Sequence, residues 1–295
     1  MVKRVVALGF FDGIHLGHCA LMRQVKELSE SLGAQAAAIT FDPHPDTLTK
    51  GAAPMLLSTV ADRRGLMQRE CGIEEMIVLH FDEAMRTMPP VVFVTSILRD
   101  QLQAVHVVCG ESFRFGHRGR GNPALLRELC ANLGIGCSVI SPISKNDGLI
   151  SSSRIRSLVQ EGRMQEANAL LGHPYCLTGE VIHGQSLGHT LGFPTANFAF
   201  PEGLMCPRFG VYVGMAHLED ARYPTVTNIG LRPTVGGTTV SVESWLQGFE
   251  GDLYGKCFRL DLLHFLRPEQ KFDSLEQLQT QILRDKEEAL AYFSK

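Results

Sequence analysis

Short apolar runs alternate with amphipathic segments through the first half of the chain, and this alternation limits the possible folds more than any other feature. The run Val5–Leu8 ends at Gly9, and Leu16–Leu32 then carries leucine and valine at helical spacing. Further strand-like runs lie at 36–41, 73–79, 104–109 and 137–140, separated by helix-like segments at 58–71, 90–102 and 123–133. Strands that alternate with helices indicate βαβ units and a parallel sheet. Ligands of such sheets bind beyond the carboxyl ends of the strands.

The second half has a different pattern. Between residues 175 and 266, short β-rich runs are separated by glycine and proline, which is typical of an antiparallel barrel or sandwich. The last segment, Ser274–Phe293, has one apolar helical face and begins with a good N-cap residue. Between the halves, Ser153–Leu171 predicts a helical connector that stops at Gly172. We therefore predict two domains: residues 1–172 form a Rossmann-like domain with a parallel sheet, and residues 173–295 form an antiparallel Greek-key β-barrel with a terminal helix.

Composition narrows the functional classes. The 295 residues include 28 Lys and Arg against 31 Asp and Glu, and the net charge of −3 disfavours binding to nucleic acid. No run of apolar residues is long enough to predict a transmembrane helix. The eight cysteines contain no C-x-x-C pair, so we expect reduced thiols. We expect a cytoplasmic protein, a monomer or weak oligomer, that binds neither nucleic acid nor membranes.

The first motif, GFFDGIHLGH at residues 9–18, joins the first strand to the first helix. Gly9 and Gly13 permit a tight turn and the close approach of a ligand. His15 and His18 are three residues apart, so they project from one face of the first helical turn. There the helix dipole and two imidazoles can bind a phosphate and stabilise developing charge. Helix capping and metal binding are the alternatives, and the glycine-rich turn after a strand favours a nucleotide.

A second motif, ISSSRIR, lies at residues 150–156. Hydroxyl and N–H groups at the start of a helix, with an arginine one turn later, can hold a phosphate. Serines before a helix are most often simple N-caps when they occur alone. The pairing with the first motif favours phosphate binding.

The two motifs together resemble the H-x-G-H signature and the Ser/Thr-rich second motif of the nucleotidyltransferase superfamily. The resemblance implies attack on the α-phosphate of ATP with loss of pyrophosphate and without a covalent enzyme intermediate. It implies catalytic roles for His15, His18 and Arg156. The nucleotide contacts that it implies in this half are Gly9, Phe11, Asp12, Gly13, Gly17, Ser151, Ser152 and Ser153.

Two further loops follow predicted strands, FDPHP at 41–45 and GESFRFG at 110–116. Both resemble the flavin-side loops of bacterial FAD synthetases, which are FMN adenylyltransferases. Their aromatic rings suit an isoalloxazine, although Phe113 and Phe115 could equally pack the loop. The flavin contacts implied by the resemblance are Phe41, Pro43, His44, Ser112, Phe113 and Arg114. The family often has asparagine at the position of Phe10, and an acidic or amide residue at that of Ser112.

In the second half, GHTLGFPTAN at 188–197 resembles the G-x-P-T-A-N motif of riboflavin kinases. In that family the threonine hydroxyl and the asparagine oxygen lie at the Mg–ATP phosphates. Thr195 and Asn197 alternate along an extended segment and can share one face, and hard oxygen ligands suit Mg²⁺. The resemblance implies metal ligation by both residues and nucleotide contacts from Gly188 and Thr195. By itself, such a segment would be an edge strand or a turn.

VESW at 242–245 matches the strand that carries the catalytic glutamate of riboflavin kinases, so Glu243 is the predicted general base. The resemblance also implies flavin contacts from Asn228 and Arg232. Three positions depart from the family pattern. His189 stands where a basic residue is common, Trp245 where histidine is common, and Gly248 where aspartate is common.

Six motifs in the family's order predict a bifunctional enzyme. Riboflavin and ATP would give FMN, and FMN and ATP would give FAD, both with Mg²⁺. One alternative is a monofunctional FMN adenylyltransferase with an impaired kinase domain. The other is a flavin- or nucleotide-sensing protein without turnover.

Overall fold

The computed structural model describes residues 2–145, 148–182, 195–219, 221–234 and 237–294. The contacts divide the chain into two compact units, one of residues 1–55 and 59–152, the other of residues 56–58 and 153–295. The sequence predicted the boundary at 172/173, with the connector in the first domain. The contacts group the connector helices, and also residues 56–58, with the second unit.

The first unit contains a five-stranded parallel sheet with the order β3-β2-β1-β4-β5. Its strands are β1 (Arg4–Leu8), β2 (Gln35–Asp42), β3 (Glu75–His80), β4 (Ala104–Gly110) and β5 (Gly136–Ile140). A hairpin of β6 (Ser144–Lys145) and β7 (Gly148–Leu149) follows. The central strand β1 is buried on both faces, as parallel sheets require. The predicted parallel sheet is confirmed.

Helices connect these strands. They are α1 (Leu16–Leu32), α2 (Pro45–Thr49), α3 (Val60–Cys71), α4 (Glu83–Thr87), α5 (Pro90–Val92) and α6 (Pro123–Ala131). The helix predicted at 90–102 is α5 followed by a π-helix, Phe93–Gln101. The wider turn brings Phe93, Val94 and Leu98 together into the core, which a regular helical spacing does not predict.

The order of the sheet creates a crevice at one end. From β1 the chain first builds outward through β2 and β3, and then crosses to β4 on the other side. The loops after β1, β2 and β4 therefore meet at the carboxyl end of the sheet, where a topological switch point forms a ligand crevice. These loops carry three of the four motifs predicted for this half.

The second unit begins with the connector, which is two helices, α7 (Ser152–Glu161) and α8 (Met164–Leu171). Gly162, at φ 78°, separates them. Six strands follow: β8 (Tyr175–Glu180), β9 (Thr195–Ala199), β10 (Gly210–Leu218), β11 (Ala221–Thr234), β12 (Gly237–Leu246) and β13 (Cys257–Pro268). The terminal helix is α9 (Leu275–Phe293), with Ser274 as its N-cap.

The six strands form an antiparallel sheet with the order β8-β13-β10-β11-β12-β9. Strands β10 to β12 form consecutive hairpins, and β9 lies beside β12, which is the Greek-key arrangement. The two edges of the sheet meet where the Ile182 N–H donates to the Asn197 carbonyl at 2.7 Å. The predicted Greek-key barrel with a terminal helix is confirmed. Arg267 at the end of β13 donates to Asp285 of α9 at 2.9 Å, and this bond ties the helix to the barrel.

Candidate active sites

The loop after β1 is built around a buried ring. Phe11, Gly13 and Ile14 all have left-handed backbone conformations, with φ values of 59°, 77° and 45°. The Phe11 side chain turns back over the loop, and a Cβ atom at Gly9 would lie 2.7 Å from its ring. The Phe11 ring therefore occupies the space beside Gly9. The approach of a ligand to the Gly9 backbone stays a prediction.

The two histidines of the first motif stack. The ring centroids of His15 and His18 are 3.5 Å apart with an interplanar angle of 16°. His15 Nδ1 accepts the His18 backbone N–H at 3.3 Å, so His15 also caps helix α1. A Cβ atom at Gly17 would lie 3.1 Å from the His15 ring, so the glycine of H-x-G-H makes room for the stacked pair.

The surroundings keep His18 neutral. Burial, followed by the neighbouring His15 and the cation of Arg63, holds the pKa of His18 well below its usual range. Among the described residues, His18 Nδ1 has no hydrogen-bond partner. A neutral imidazole with this nitrogen unengaged can bind a polar ligand at the start of α1.

Arg63 is a fully buried arginine that the sequence analysis did not identify. Its Nη1 donates to Thr40 Oγ1 at 2.7 Å, and that hydroxyl donates to the Phe10 carbonyl at 2.7 Å. The guanidinium also lies 4.2 Å from the centroid of the Phe10 ring. Arg63 thereby links α3, β2 and the first motif. Its position on α3 looked like that of any polar residue of an amphipathic helix, so no sequence signal marked it.

The charges near Arg63 are acidic. Asp12 and Asp42 both favour its charged form, but burial is the larger effect and lowers the pKa of Arg63. The Phe10 ring stacked by Arg63 also contacts His44, with centroids 4.2 Å apart. The departure from asparagine at Phe10 therefore has a structural role, because the ring packs between two predicted ligand loops.

The second motif reaches the first across 140 positions of the chain, since Ser152 Oγ donates to the Asp12 carbonyl at 3.1 Å. Ser151 precedes it and is half-buried. Ser153 and Arg156 lie on α7 in the second unit, and their phosphate contacts stay predictions. Of the predicted nucleotide contacts, the first unit thus holds seven along with His15 and His18, namely Gly9, Phe11, Asp12, Gly13, Gly17, Ser151 and Ser152.

A cavity of about 580 Å³ lies in the first unit beside the crevice loops. Its aromatic lining is Phe41, Phe81, Phe93 and Phe115. Its basic lining is Lys50, Arg86, Arg114 and Arg118. A flat aromatic ligand with an anionic group would match both sets of side chains.

Of the six flavin contacts predicted in this half, some line this cavity and others do not. Phe41 and Arg114 line it, and the other four are not among its described lining. His44 caps α2 by accepting the Asp46 N–H at 3.0 Å, and Phe113 stacks on Phe115 against the core. Ser112 is exposed, and Pro43 follows a cis peptide bond. The sequence did not identify Phe81 or Phe93, because they come from segments without a recognised motif.

The barrel contains two cavities, of about 310 and 520 Å³, that share Thr195 and Trp245 in their linings. The smaller is also lined by Asn228, Glu243, Arg267, Glu269, Asp285 and Lys286, among others. The larger is lined mainly by the turn after β12, from Gly248 to Tyr254, including Phe249. Two ligands, one in each cavity, would therefore meet at Thr195.

Polar side chains form a row across the barrel sheet at this wall. Glu243 pairs with Asn228 on β11 and with Asn197 on β9, and directly paired residues share a face. Asn197 Nδ2 donates to the Thr195 carbonyl at 3.1 Å and to its Oγ1 at 3.3 Å. The four groups are the predicted base, a predicted flavin contact and the two predicted metal ligands.

Glu243 has an unusual environment for a carboxylate. Burial raises the pKa of Glu243, the charge of Arg232 opposes the rise, and Glu269 adds to it. Arg232 acts on the carboxylate through its charge, and it is not part of the described cavity lining. A half-buried carboxylate with a raised pKa, on the wall of the smaller cavity and one strand from the shared Thr195, suits a general base.

Two of the three departures from the riboflavin kinase pattern, Trp245 and Gly248, lie among the described residues, and the structure explains both. Lys286 of α9, which the sequence analysis did not single out, places its Nζ 3.8 Å from the centroid of the Trp245 ring. Gly248 has φ 72° in the turn after β12, a conformation that glycine adopts without strain. Gly188 and His189 lie outside the described residues.

Comparisons with known proteins match both halves of the chain. Residues 2–154 match the family model of FAD synthetase, and residues 171–293 match that of riboflavin kinase. A Bacillus subtilis protein named bifunctional riboflavin kinase/FMN adenylyltransferase is 35% identical over 99% of this chain and 93% of its own length. An Escherichia coli K12 protein of the same name is 32% identical over 98% of this chain and 92% of its own length.

A solved structure from Streptococcus pneumoniae, described as a macrolide-efflux protein, has a TM-score of 0.87 and 29% identity. The match covers 97% of this chain and 93% of that one. Within the described parts of the present chain, no helix is both long enough and apolar enough to cross a membrane.

Proposed function

The chain belongs to the bifunctional riboflavin kinase/FMN adenylyltransferase family, and from this we propose that it phosphorylates riboflavin in the barrel and adenylylates FMN in the first unit. One observation carries the kinase assignment: the two barrel cavities share Thr195, one strand away from Glu243. A phosphoryl donor and an acceptor hydroxyl need such a common wall. The family and the two cavities point to the same reaction.

In the kinase reaction, riboflavin occupies the smaller cavity and ATP the larger one. Glu243 accepts the proton of the primary hydroxyl while that oxygen attacks the γ-phosphorus, and ADP leaves. The raised pKa of Glu243 brings the carboxylate closer to the operating pH, where a general base is most effective. Thr195 Oγ1 is placed to orient the phosphates, and little covalent chemistry is required of the protein.

We propose that Mg²⁺ serves the kinase site, held by the Thr195 hydroxyl and the Asn197 amide oxygen. The described residues contain no group of three or more His, Cys, Asp or Glu side chains that could hold a metal. The donors at the wall are instead neutral oxygens, which suits a cation that takes its remaining ligands from water and substrate phosphate. When bound, Mg²⁺ neutralises phosphate charge.

In the first unit, a phosphate oxygen of FMN attacks the α-phosphorus of ATP, and pyrophosphate leaves. The N-terminus of α1 and the His15–His18 pair stabilise the charge that develops on the transferring group. His18 acts as a neutral donor, because its pKa is lowered. Arg156 is proposed from the sequence motif as a further phosphate contact.

The cavity of about 580 Å³ is the proposed FMN site. Its four phenylalanine rings suit the isoalloxazine, and its four basic side chains suit an anionic flavin. Phe41 and Arg114 take part directly. His44 supports the site from outside its lining, by its contact with Phe10.

A chromatographic assay of flavin products tests both assignments. Purified protein given riboflavin and ATP should form FMN and then FAD. If FAD forms only when FMN is supplied, the enzyme is the monofunctional alternative. If neither product forms although flavin binds, the sensing alternative holds. The location in the cytoplasm, the monomeric or weakly oligomeric state and the absence of nucleic-acid binding also remain proposals, supported for the last by the net charge of −3.

A further inference from the structure

Two cysteine thiols meet beside the histidine pair of the first unit. Cys19 is the fourth residue of α1 and follows His18 directly, and Cys71 is the last residue of α3. Their Sγ atoms are 2.7 Å apart, and both side chains are partly exposed. The two residues are far apart in sequence, so the fold brings them together.

A dithiol of this kind can bind a metal or form a disulfide. Within the described part of the chain, no third histidine, cysteine or carboxylate completes a metal site around it. The Sγ atoms are 2.7 Å apart, against about 2.05 Å in a disulfide bond, so a small movement of the two side chains and of the helix turns that carry them would join the atoms. The geometry favours the covalent product.

We propose that Cys19 and Cys71 are a reversible oxidation site, whose disulfide slows the adenylyltransferase reaction and leaves the kinase reaction unchanged. The disulfide itself is independent of the proposed function, whereas its effect on the rate rests on that function.

Cys19 is the attacking sulfur. The hydrogen bond from the Cys71 thiol lowers the pKa of Cys19, and burial opposes that effect. With hydrogen peroxide as oxidant, the Cys19 thiolate attacks one peroxide oxygen, which forms a sulfenic acid and releases hydroxide. The Cys71 sulfur then attacks the sulfenic sulfur, the S–S bond forms, and water leaves. Overall, two thiols are oxidised and one peroxide is reduced to two waters. A small dithiol reverses the step.

The position of the proposed disulfide is the reason to expect an effect on the adenylyltransferase rate. The first turn of α1 carries the stacked imidazoles, and α3 carries the buried Arg63. A covalent link between these helices changes the position of His18 relative to Arg63. Small misplacements of catalytic groups lower rates strongly, so we expect the adenylyltransferase rate to fall at least about threefold.

The other described cysteines differ from this pair. Cys109 and Cys130 are fully buried, so a peroxide in solution does not reach them. Cys130 and Cys137 are hydrogen-bonded to each other, but the burial of Cys130 sets that pair apart. Cys257 is exposed and lies in the other unit, which makes it a suitable control.

The experiment treats the reduced full-length enzyme with hydrogen peroxide, alkylates the remaining thiols and maps cross-linked peptides by mass spectrometry. We expect a peptide pair joined through Cys19 and Cys71, lost again after dithiothreitol. Cys257→Ser should keep this bridge, and Cys71→Ser should abolish it. The proposal is overturned if both thiols stay alkylatable, or if Cys19 pairs with another cysteine.

The rates of both reactions are measured on the same samples. Oxidised wild-type enzyme should make FAD from FMN more slowly while FMN formation stays unchanged, and Cys71→Ser should show no peroxide effect. If FAD forms at the same rate before and after the disulfide forms, the proposed effect of the disulfide on the adenylyltransferase reaction is overturned. If the reduced enzyme makes no FAD at all, the proposed function has failed instead, and the mapped bridge is unaffected by that result. Should Cys71→Ser not fold, Cys71→Ala serves in its place.

Discussion

The ammonium group of Lys286 lies 3.8 Å from the centroid of the Trp245 ring. Trp245 lines both cavities of the barrel. Trp245 is the single tryptophan of the chain, so its fluorescence reports on this wall alone. The cation holds the ring at the position where the family often has histidine. The relationship can be tested without interference from other indoles.

We expect Lys286→Met to raise the KM for riboflavin by about 2- to 30-fold, because a cation–π contact contributes roughly 0.5–2 kcal/mol. The maximum of Trp245 emission should shift as well, since the charge above the ring is lost. Steady-state kinetics and fluorescence spectra measure both effects. Arg284→Met, an exposed change on the same helix, is the control and should alter neither.

Glu243→Gln should lower FMN formation by at least about 100-fold, because the amide cannot accept the hydroxyl proton. FAD formation from added FMN should stay at the wild-type rate, since the first unit is unchanged. Chromatography of the flavins measures both rates. Glu288→Gln, an exposed glutamate of α9, is the matched control. Undiminished FMN formation by Glu243→Gln would exclude this residue as the base.

As the pH is lowered, the kinase reaction should lose activity at a higher pH than it would with a base of ordinary glutamate pKa. The base works only when deprotonated, and burial raises the pKa of Glu243, so protonation begins above the usual value of about 4.3. The measurement is kcat/KM for riboflavin between pH 4 and 8. An acid limb at or below about pH 4.3 would contradict the assignment.

Arg63→Met should destabilise the first unit by about 3–5 kcal/mol, since it leaves acidic neighbours without their buried cation. Thermal unfolding measures the change, and FMN formation should persist because the barrel does not contain this residue. Arg63→Lys keeps the charge but loses the planar stack on Phe10, and should be intermediate in stability. The neighbouring and exposed Arg64→Met is the control, with a small effect expected.

Gly17→Ala should separate stability from activity. Alanine favours a helix over glycine by up to about 1 kcal/mol, but the new Cβ lies 3.1 Å from the His15 ring and displaces the stacked pair. We expect unchanged or higher melting temperature with at least about tenfold slower FAD formation. Gly65→Ala on α3, where the nearest atom belongs to the mobile Arg69 guanidinium, should stabilise without loss of rate. Equal FAD rates for the two variants would refute the role of the pair.

Local patterns predicted the fold well where neighbours in sequence are neighbours in space. Helix α1 begins and ends where the spacing placed it, Leu16–Leu32, because a glycine-rich turn and Gly33 mark its two ends. The connector was predicted as one helix, and the left-handed Gly162 divides it. The π-helix at Phe93–Gln101 was not predicted, because core packing decides its wider turn.

The site was predictable where a motif carries it, and only in part elsewhere. The histidine pair and Glu243 are found from their motifs, whereas Arg63 and Lys286 become visible only when distant helices meet Phe10 and Trp245. Phe113 shows what a motif leaves open. The loop pattern allowed either a flavin contact or packing of the loop, and the structure stacks this ring on Phe115 against the core, while the flavin contact stays a prediction.

The hydrogen bond between Ile182 and Asn197, at which the barrel closes, has a thermodynamic consequence. The Asn197 carbonyl accepts the Ile182 N–H there, and the amide of the same residue is the proposed metal ligand. A ligand that binds the folded barrel and not the unfolded chain stabilises it by RT ln(1 + [L]/Kd). Barrel closure and nucleotide loading are then linked equilibria that reinforce each other. The folded fraction of this domain would follow the supply of the nucleotide it consumes.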